Sequence, residues 1–329
     1  MSENSAKKRP VVVLTGASSG IGRATALRFA KSGAALVLNA RGAEALESVA
    51  AECRALGAET EVVSADVTDE DAMLDLAQRA VERFGRIDVW VNDAAVGVFG
   101  PIDELPMEDI RRVLDVNIIG YVHGVRAALP ILKRQGSGVI INVASLTAPI
   151  PQPYTGPYSM SKAAVRTLSA SVRSELRLGG NRGVRVCTVM PPAIDTPFFD
   201  NAANYTGRKA RAMPPVYSPE KVARTITRLA RVPRREVVVG AIGRSFVQQG
   251  KLAPGMTERS MAVMVENTHL SKTEHVARTS GNLFAPSTAS TSGSTHGGWN
   301  GGRKTAIRVG VGSVALALGG AALARRLLR

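Results

Sequence analysis

The stretch VVVLTGASSGIG, residues 11–22, decides how the rest of the chain reads. Four apolar residues, Val11 to Leu14, run into a turn where Gly16, Gly20 and Gly22 are spaced G-x3-G-x-G. A short β-branched run without polar alternation is what a strand buried on both faces of a parallel sheet requires. The glycines permit a tight turn and a close approach of backbone to a pyrophosphate. The helix expected next offers its unpaired N–H groups to the anion. A glycine pattern alone is weak, but one lying between a strand and a helix is a phosphate cradle.

The same alternation continues outward from this point. The runs ALVLNA (35–40), EVVSAD (61–66), DVWVN (88–92), GVIINVAS (138–145), VRVCTVM (184–190) and EVVVG (236–240) read as further buried strands. Helical patterns fill 21–32, 43–56, 69–84, 105–135, 158–178 and 219–231. This predicts an α/β fold: a Rossmann-like doubly wound parallel sheet of about seven strands in a single domain. The segment 193–217, rich in Pro and basic residues, breaks the alternation and is expected to loop over the carboxyl ends of the strands, where ligands sit in such sheets. The expected divisions are a polar N-terminal arm (1–9), a dinucleotide-binding catalytic domain (10–250), an extension (251–280), a flexible Ser/Thr/Gly-rich linker (281–304) and a C-terminal helix (305–329).

Composition bounds the function classes. With 45% hydrophobic and 21% charged residues over 329 positions, a sizeable core is available and global disorder is excluded. Cys53 and Cys187, far apart and with no CxxC or His cluster nearby, are read as free thiols in a reducing compartment, and no metal site is expected. The N-terminus lacks the apolar stretch of a signal peptide, so the catalytic domain is expected in the cytoplasm. The net charge of +15 is concentrated late in the chain, where 201–250 holds 10 basic and 2 acidic residues. No nucleic-acid reading motif accompanies this basicity, and a nucleic-acid partner is not expected.

Further along stand Asp66 in SADV, Asn92-Asp93-Ala94-Ala95, Asn117 in DVNIIG, Ser145 at a strand end and the YSMSK box from Tyr158 to Lys162. Together with TGASSGIG, and over about residues 10–240, these resemble the short-chain dehydrogenase/reductase family, in a bacterial-type form with an added C-terminal tail. The chemistry also follows from the residues. A phenol with a pKa of about 10 is a poor acid–base group at neutral pH. A lysine four residues on shares its helix face, and its positive charge favours the phenolate. Ser145 can donate a hydrogen bond to a carbonyl oxygen as charge develops there. The resemblance implies a catalytic set of Asn117, Ser145, Tyr158 and Lys162, with Asn117 holding a water that links Lys162 to solvent. It also implies cofactor contacts from Gly16, Ser18, Ser19, Gly20, Ile21 and Gly22, from Asp66, Val67, Asn92 and Ala94 on the adenosine side, and from Tyr158, Lys162, Pro191 and Thr196 on the nicotinamide side. Ser145, Tyr158 and Phe198 are the expected substrate contacts.

The second strand ends in Asn39-Ala40-Arg41, with no acid until Glu44. A carboxylate there would bind a ribose 2′-hydroxyl, whereas an arginine can pair with a 2′-phosphate, so NADP(H) is expected over NAD(H). Two departures from the family pattern are Asp93-Ala94-Ala95, with an acid for an amide and Ala for Gly, and Pro191-Pro192 after the sixth strand. The loop residues Val96, Val98, Phe99, Leu146, Ile150, Phe199, Tyr205 and Met213 suit a small hydrophobic ketone, aldehyde or secondary alcohol. A homo-oligomer is implied by the resemblance. The sixteen uncharged positions Val309 to Ala324, flanked by arginines, are expected to make 305–329 a membrane contact. The competing reading is a non-catalytic dinucleotide-binding scaffold at a membrane surface.

Overall fold

The computed structural model describes residues 9–287 and 293–299. Seven parallel strands form one sheet: β1 (Val11–Thr15), β2 (Ala35–Ala40), β3 (Thr60–Ser64), β4 (Val89–Asn92), β5 (Gly138–Val143), β6 (Val184–Met190) and β7 (Glu236–Val238). Their order across the sheet is β7-β6-β5-β4-β1-β2-β3. The helices are α1 (Gly20–Ala30), α2 (Ala43–Ala55), α3 (Glu70–Phe84), α4 (Met107–Leu114), α5 (Gly120–Gln135), α6 (Gly156–Leu178), α7 (Pro219–Arg231), α8 (Ala241–Leu252) and α9 (Pro254–Met264).

Alternation along each buried strand feeds two layers. Val12 and Leu14 of β1 pack on one face with Phe29 of α1, Leu46 and Val49 of α2, and Val222 and Ile226 of α7. Val13 points the other way, into a cluster with Met73 and Leu76 of α3, Val113 of α4, Leu132 of α5 and Val172 of α6. Each such side chain contributes roughly 1.5–3 kcal/mol when fully buried, and the two-sided burial is why the strands carry no polar alternation. The order of strands reverses between β1 and β4, which opens a crevice at their carboxyl ends.

The helix expected over 105–135 is one rod with a fault in it. Asp115–Ile119, between α4 and α5, is a π-helical turn, and it carries Asn117 inward. The boundary expected at 250 does not divide the domain: Phe246 of α8 and Met261 of α9 share a cluster with Leu146 and Ile150, forming a cap. Leu270–His275 then pairs antiparallel with Arg208–Ala210.

The segment read as a flexible linker lies against the domain wherever it is described. Leu283 is completely buried among the α3–α6 layer, and Pro286 packs on Gly42. The polar composition of this stretch concealed an apolar anchor. The expected membrane helix at 305–329 and most of the N-terminal arm lie outside the described residues. Among the described residues no helix is long and apolar enough to cross a membrane. Cys53 and Cys187 are free and buried, and burial pushes their thiols up to about 12 and about 11.

Candidate active site

The crevice begins at the loop after β1. Gly16 sits at φ +72°, where a Cβ would lie 2.7 Å from the backbone nitrogen of Ala94, so only glycine fits. A Cβ on Gly22 would meet the Gly16 carbonyl at 2.0 Å. Gly22 thus brings α1 against the loop and does not itself line the cleft, a correction to its expected role. Ser18, Ser19, Gly20 and Ile21 do line it, with the N-terminus of α1 facing in.

At the far wall stand Ser145, Tyr158 and Lys162, from the end of β5 and from α6. Ser145 Oγ accepts the N–H of Thr147 at 3.1 Å, leaving its own proton to donate, and it hydrogen-bonds the Tyr158 phenol. Lys162 is buried; its Nζ donates to the Tyr121 hydroxyl at 3.1 Å and to the Val143 carbonyl at 3.0 Å, and lies 5.6 Å from the Tyr158 ring centroid. The expected lowering of the Tyr158 pKa is not what this arrangement gives. Burial pushes the phenol up to about 12, against the Ser145 hydrogen bond, and the Asp93 carboxylate adds to the rise. Burial likewise lowers Lys162, while Asp93 opposes that fall. Asp93 is itself raised by burial, against the pull of Lys162 and a hydrogen bond from the Gly22 N–H.

Asn117 makes no direct hydrogen bond to Lys162. Its Nδ2 donates to the Val96 carbonyl at 2.9 Å and to Ser161 Oγ at 3.0 Å, and its Oδ1 accepts the Val96 N–H at 2.9 Å. Both amide protons are committed, and one lone pair remains for a water. Asn92 also departs from expectation. It bonds Trp90 Nε1 and Asn142 Oδ1, each at 2.8 Å, in a buried chain that ends on Ser169. Its side chain braces β4 and does not line the cleft.

At the end of β2, Arg41 donates to the carbonyls of Asn282 and Leu283 at 2.6 and 2.9 Å and lies 3.9 Å from Asp66. Asp66 is tied to the N–H and hydroxyl of Thr68 and to Arg112. Burial pushes this carboxyl up, but the bonds from Thr68 and Arg112 outweigh it and hold the pKa below the ordinary value. Arg112 was not singled out from sequence; only its place one turn before Asn117 hinted at this face. Val67, Ala94, Pro191 and Thr196 line the cleft. Asn39 Oδ1, buried at the same mouth, has no partner among the described residues.

The opposite end of the cleft is apolar, with the Phe198 ring centroid 5.3 Å from that of Tyr158 at a tilt of 52° and Met213, Met261 and Met264 beyond it. Polar groups line this cleft as well. His269, which sequence reasoning missed, packs edge-on to Phe99 and Phe199 at 5.2 and 5.7 Å. Its Nδ1 meets the Arg211 carbonyl. A carbonyl only accepts, so Nδ1 carries the proton and Nε2 is an acceptor. Burial pushes the ring down to about 4, so it is neutral at pH 7. Among the described residues no cluster of His, Cys, Asp or Glu could hold a metal ion.

Residues 10–206 match the family model for short chain dehydrogenases. The chain is 38% identical over 233 residues to 3beta-hydroxysteroid dehydrogenase 1 of Eggerthella lenta, covering 68% of this chain and 87% of that protein. It superposes on an alcohol dehydrogenase from Thermococcus sibiricus complexed with 5-hydroxy-NADP (31% identity, TM-score 0.61, 70% of this chain and 95% of that one). It also superposes on a short chain dehydrogenase/reductase from Burkholderia phymatum in complex with NAD (28% identity, TM-score 0.69, 76% and 96%).

Proposed function

The chain belongs to the short-chain dehydrogenase family of oxidoreductases, and on that premise we propose that it interconverts a hydrophobic carbonyl compound and its secondary alcohol, with NADP(H) preferred over NAD(H). The observation that carries this reading is the convergence of Ser145, Tyr158 and Lys162 on one cleft whose other end is a glycine cradle. The fit of a dinucleotide is supported by the loop that excludes a Cβ at Gly16, by the helix end at Gly20 and by the unpartnered Asn39 Oδ1. Arg41 supports the 2′-phosphate form. Relatives of known structure carry either NADP or NAD, so the preference rests on Arg41 alone.

When bound, the dinucleotide supplies or accepts a hydride. In the reducing direction the Tyr158 phenol donates its proton to the substrate oxygen while Ser145 donates a hydrogen bond to the same atom. The Lys162 ammonium stabilises the phenolate that remains. In oxidation the proton moves the other way. Phe198 and the methionines exclude water around an apolar substrate, and His269 Nε2 offers that substrate a hydrogen-bond acceptor.

The test is turnover of apolar cyclic ketones with NADPH by the full chain and by Tyr158→Phe. The variant is expected to lose about 10²–10⁴-fold in kcat while binding cofactor as before. A wild-type chain that binds NADPH but turns over none of these ketones would favour the scaffold reading.

A further inference from the structure

Carbonyl oxygens of the chain's own C-terminal segment stand at both places where phosphate oxygens are expected. The Ser294 carbonyl accepts the N–H of Gly20, the first residue of α1, at 3.0 Å. That N–H is one of those a helix end offers to an anion. At the ribose end, the carbonyls of Asn282 and Leu283 take up two nitrogens of the Arg41 guanidinium, and Arg112 Nε also donates to Leu283 at 2.9 Å.

Resting on the reading of this cleft as a nicotinamide dinucleotide site, we propose that residues 282–287 and 293–299 are an intramolecular competitor for it. Segment and cofactor exclude each other at Gly20, and a 2′-phosphate competes with the Asn282 and Leu283 carbonyls for Arg41.

The segment is held by two unlike anchors. Leu283 is buried in the core, whereas the outer part is held by polar contacts at the cleft mouth. There the N–H groups of Gly297 and Trp299 donate to Asp195 Oδ1 at 3.1 and 2.7 Å, and the Trp299 indole donates to the Thr196 carbonyl at 3.2 Å. The indole also stands edge-on to Phe199 at 5.7 Å, and His296 pairs with Glu220 at 3.0 Å. Binding of cofactor therefore lifts the outer part while the Leu283 side chain stays seated. The docked fraction lowers apparent affinity in proportion, so a tenfold preference for docking weakens binding about tenfold. A 2′-phosphate replaces neutral carbonyls on Arg41 with charge-assisted bonds, while displacement of the outer part weakens both dinucleotides by the same factor.

Gly297 supplies the test, because a Cβ there would meet the Thr196 carbonyl at 2.2 Å. NADPH and NADH are titrated by fluorescence into the full chain, Gly297→Val and Trp299→Ala, and backbone hydrogen exchange at 293–299 is followed with and without saturating NADPH. Both variants are expected to bind NADPH and NADH about tenfold more tightly than wild type. NADPH is expected to deprotect the Gly297 and Trp299 amides in the wild-type chain. Trp299→Ala introduces no clash, so it answers for Gly297→Val if that variant misfolds. Equal affinities in all three chains, with 293–299 still protected in saturating NADPH, would overturn the competition and leave the cofactor reading standing. Failure of all three to bind either dinucleotide would overturn the cofactor reading and the competition with it.

Discussion

Lys162 Nζ donates to the hydroxyl of Tyr121 at 3.1 Å and makes no bond to Asn117. Tyr121 is buried, and its own proton goes to the Val143 carbonyl at 2.8 Å, the same oxygen that Lys162 uses. The ammonium is therefore held by a second phenol and a strand carbonyl, with α5 and the end of β5 fixing both.

Tyr121→Phe removes one of the two acceptors of a buried cation without opening a cavity. The Lys162 pKa, already lowered by burial, falls further, by about one unit. The charged form is then lost at lower pH. The alkaline limb of the kcat profile is expected to move down by that amount, with an about fivefold loss in kcat at pH 8. A pH–rate comparison checks it; an unshifted limb would mean that Lys162 does not depend on Tyr121.

Asn92→Ala separates bracing from binding. The substitution leaves Trp90 Nε1 and Asn142 Oδ1 buried without their partner. A loss of roughly 2–4 kcal/mol in urea unfolding is expected. The folded variant should bind NADPH within about twofold of wild type, since the side chain does not line the cleft.

Arg41→Ala addresses the ribose end. NADPH affinity is expected to fall about tenfold or more, as for loss of one charged hydrogen-bonding partner. NADH affinity should hold or rise, because the same change loosens Asn282 and Leu283. Parallel titrations with the two dinucleotides give the result; equal losses for both would show that Arg41 does not read the 2′-phosphate.

His269 makes stability depend on acid. Its pKa is lowered to about 4 from 6.5 by burial, so its contribution is present above pH 6.5 and is lost as pH falls through 4. The loss is on the order of 3 kcal/mol. His269→Leu, of similar bulk, should show a flatter decline in denaturant midpoint between pH 6.5 and 4. If the apolar pocket presents Nε2 to substrate, the same variant should raise KM for hydroxylated ketones more than for their deoxy analogues.

The fold was legible because its signal is local. VVVLTGASSGIG carries strand, turn and helix start within twelve residues, and Tyr158 and Lys162 share a helix face by spacing alone. Partnerships across the chain were not. Asp66 meets Arg112 across 46 residues, and Arg41 meets the Leu283 carbonyl across 242. Backbone carbonyls carry no residue-type signature, so a Ser/Thr/Gly-rich composition read as free linker. Leu283, Phe284 and Trp299, three large apolar residues in an otherwise polar stretch, were the available clue. The π turn at Asp115–Ile119 was likewise invisible, since its residues are ordinary helix formers and one extra residue in a turn leaves no periodic mark.

The outer contacts of the C-terminal segment also set a load path. The chain passes Trp299 while bonded to Asp195 and Thr196, so anything that grips the residues beyond it holds a leash knotted at the cofactor mouth. Tension along that leash reaches the knot before it reaches Leu283, and the sheet behind Leu283 bears none of it until the knot gives. Tethering this protein by its end is therefore mechanically distinct from tethering it by its beginning, where Arg9 leads into β1 at the centre of the sheet.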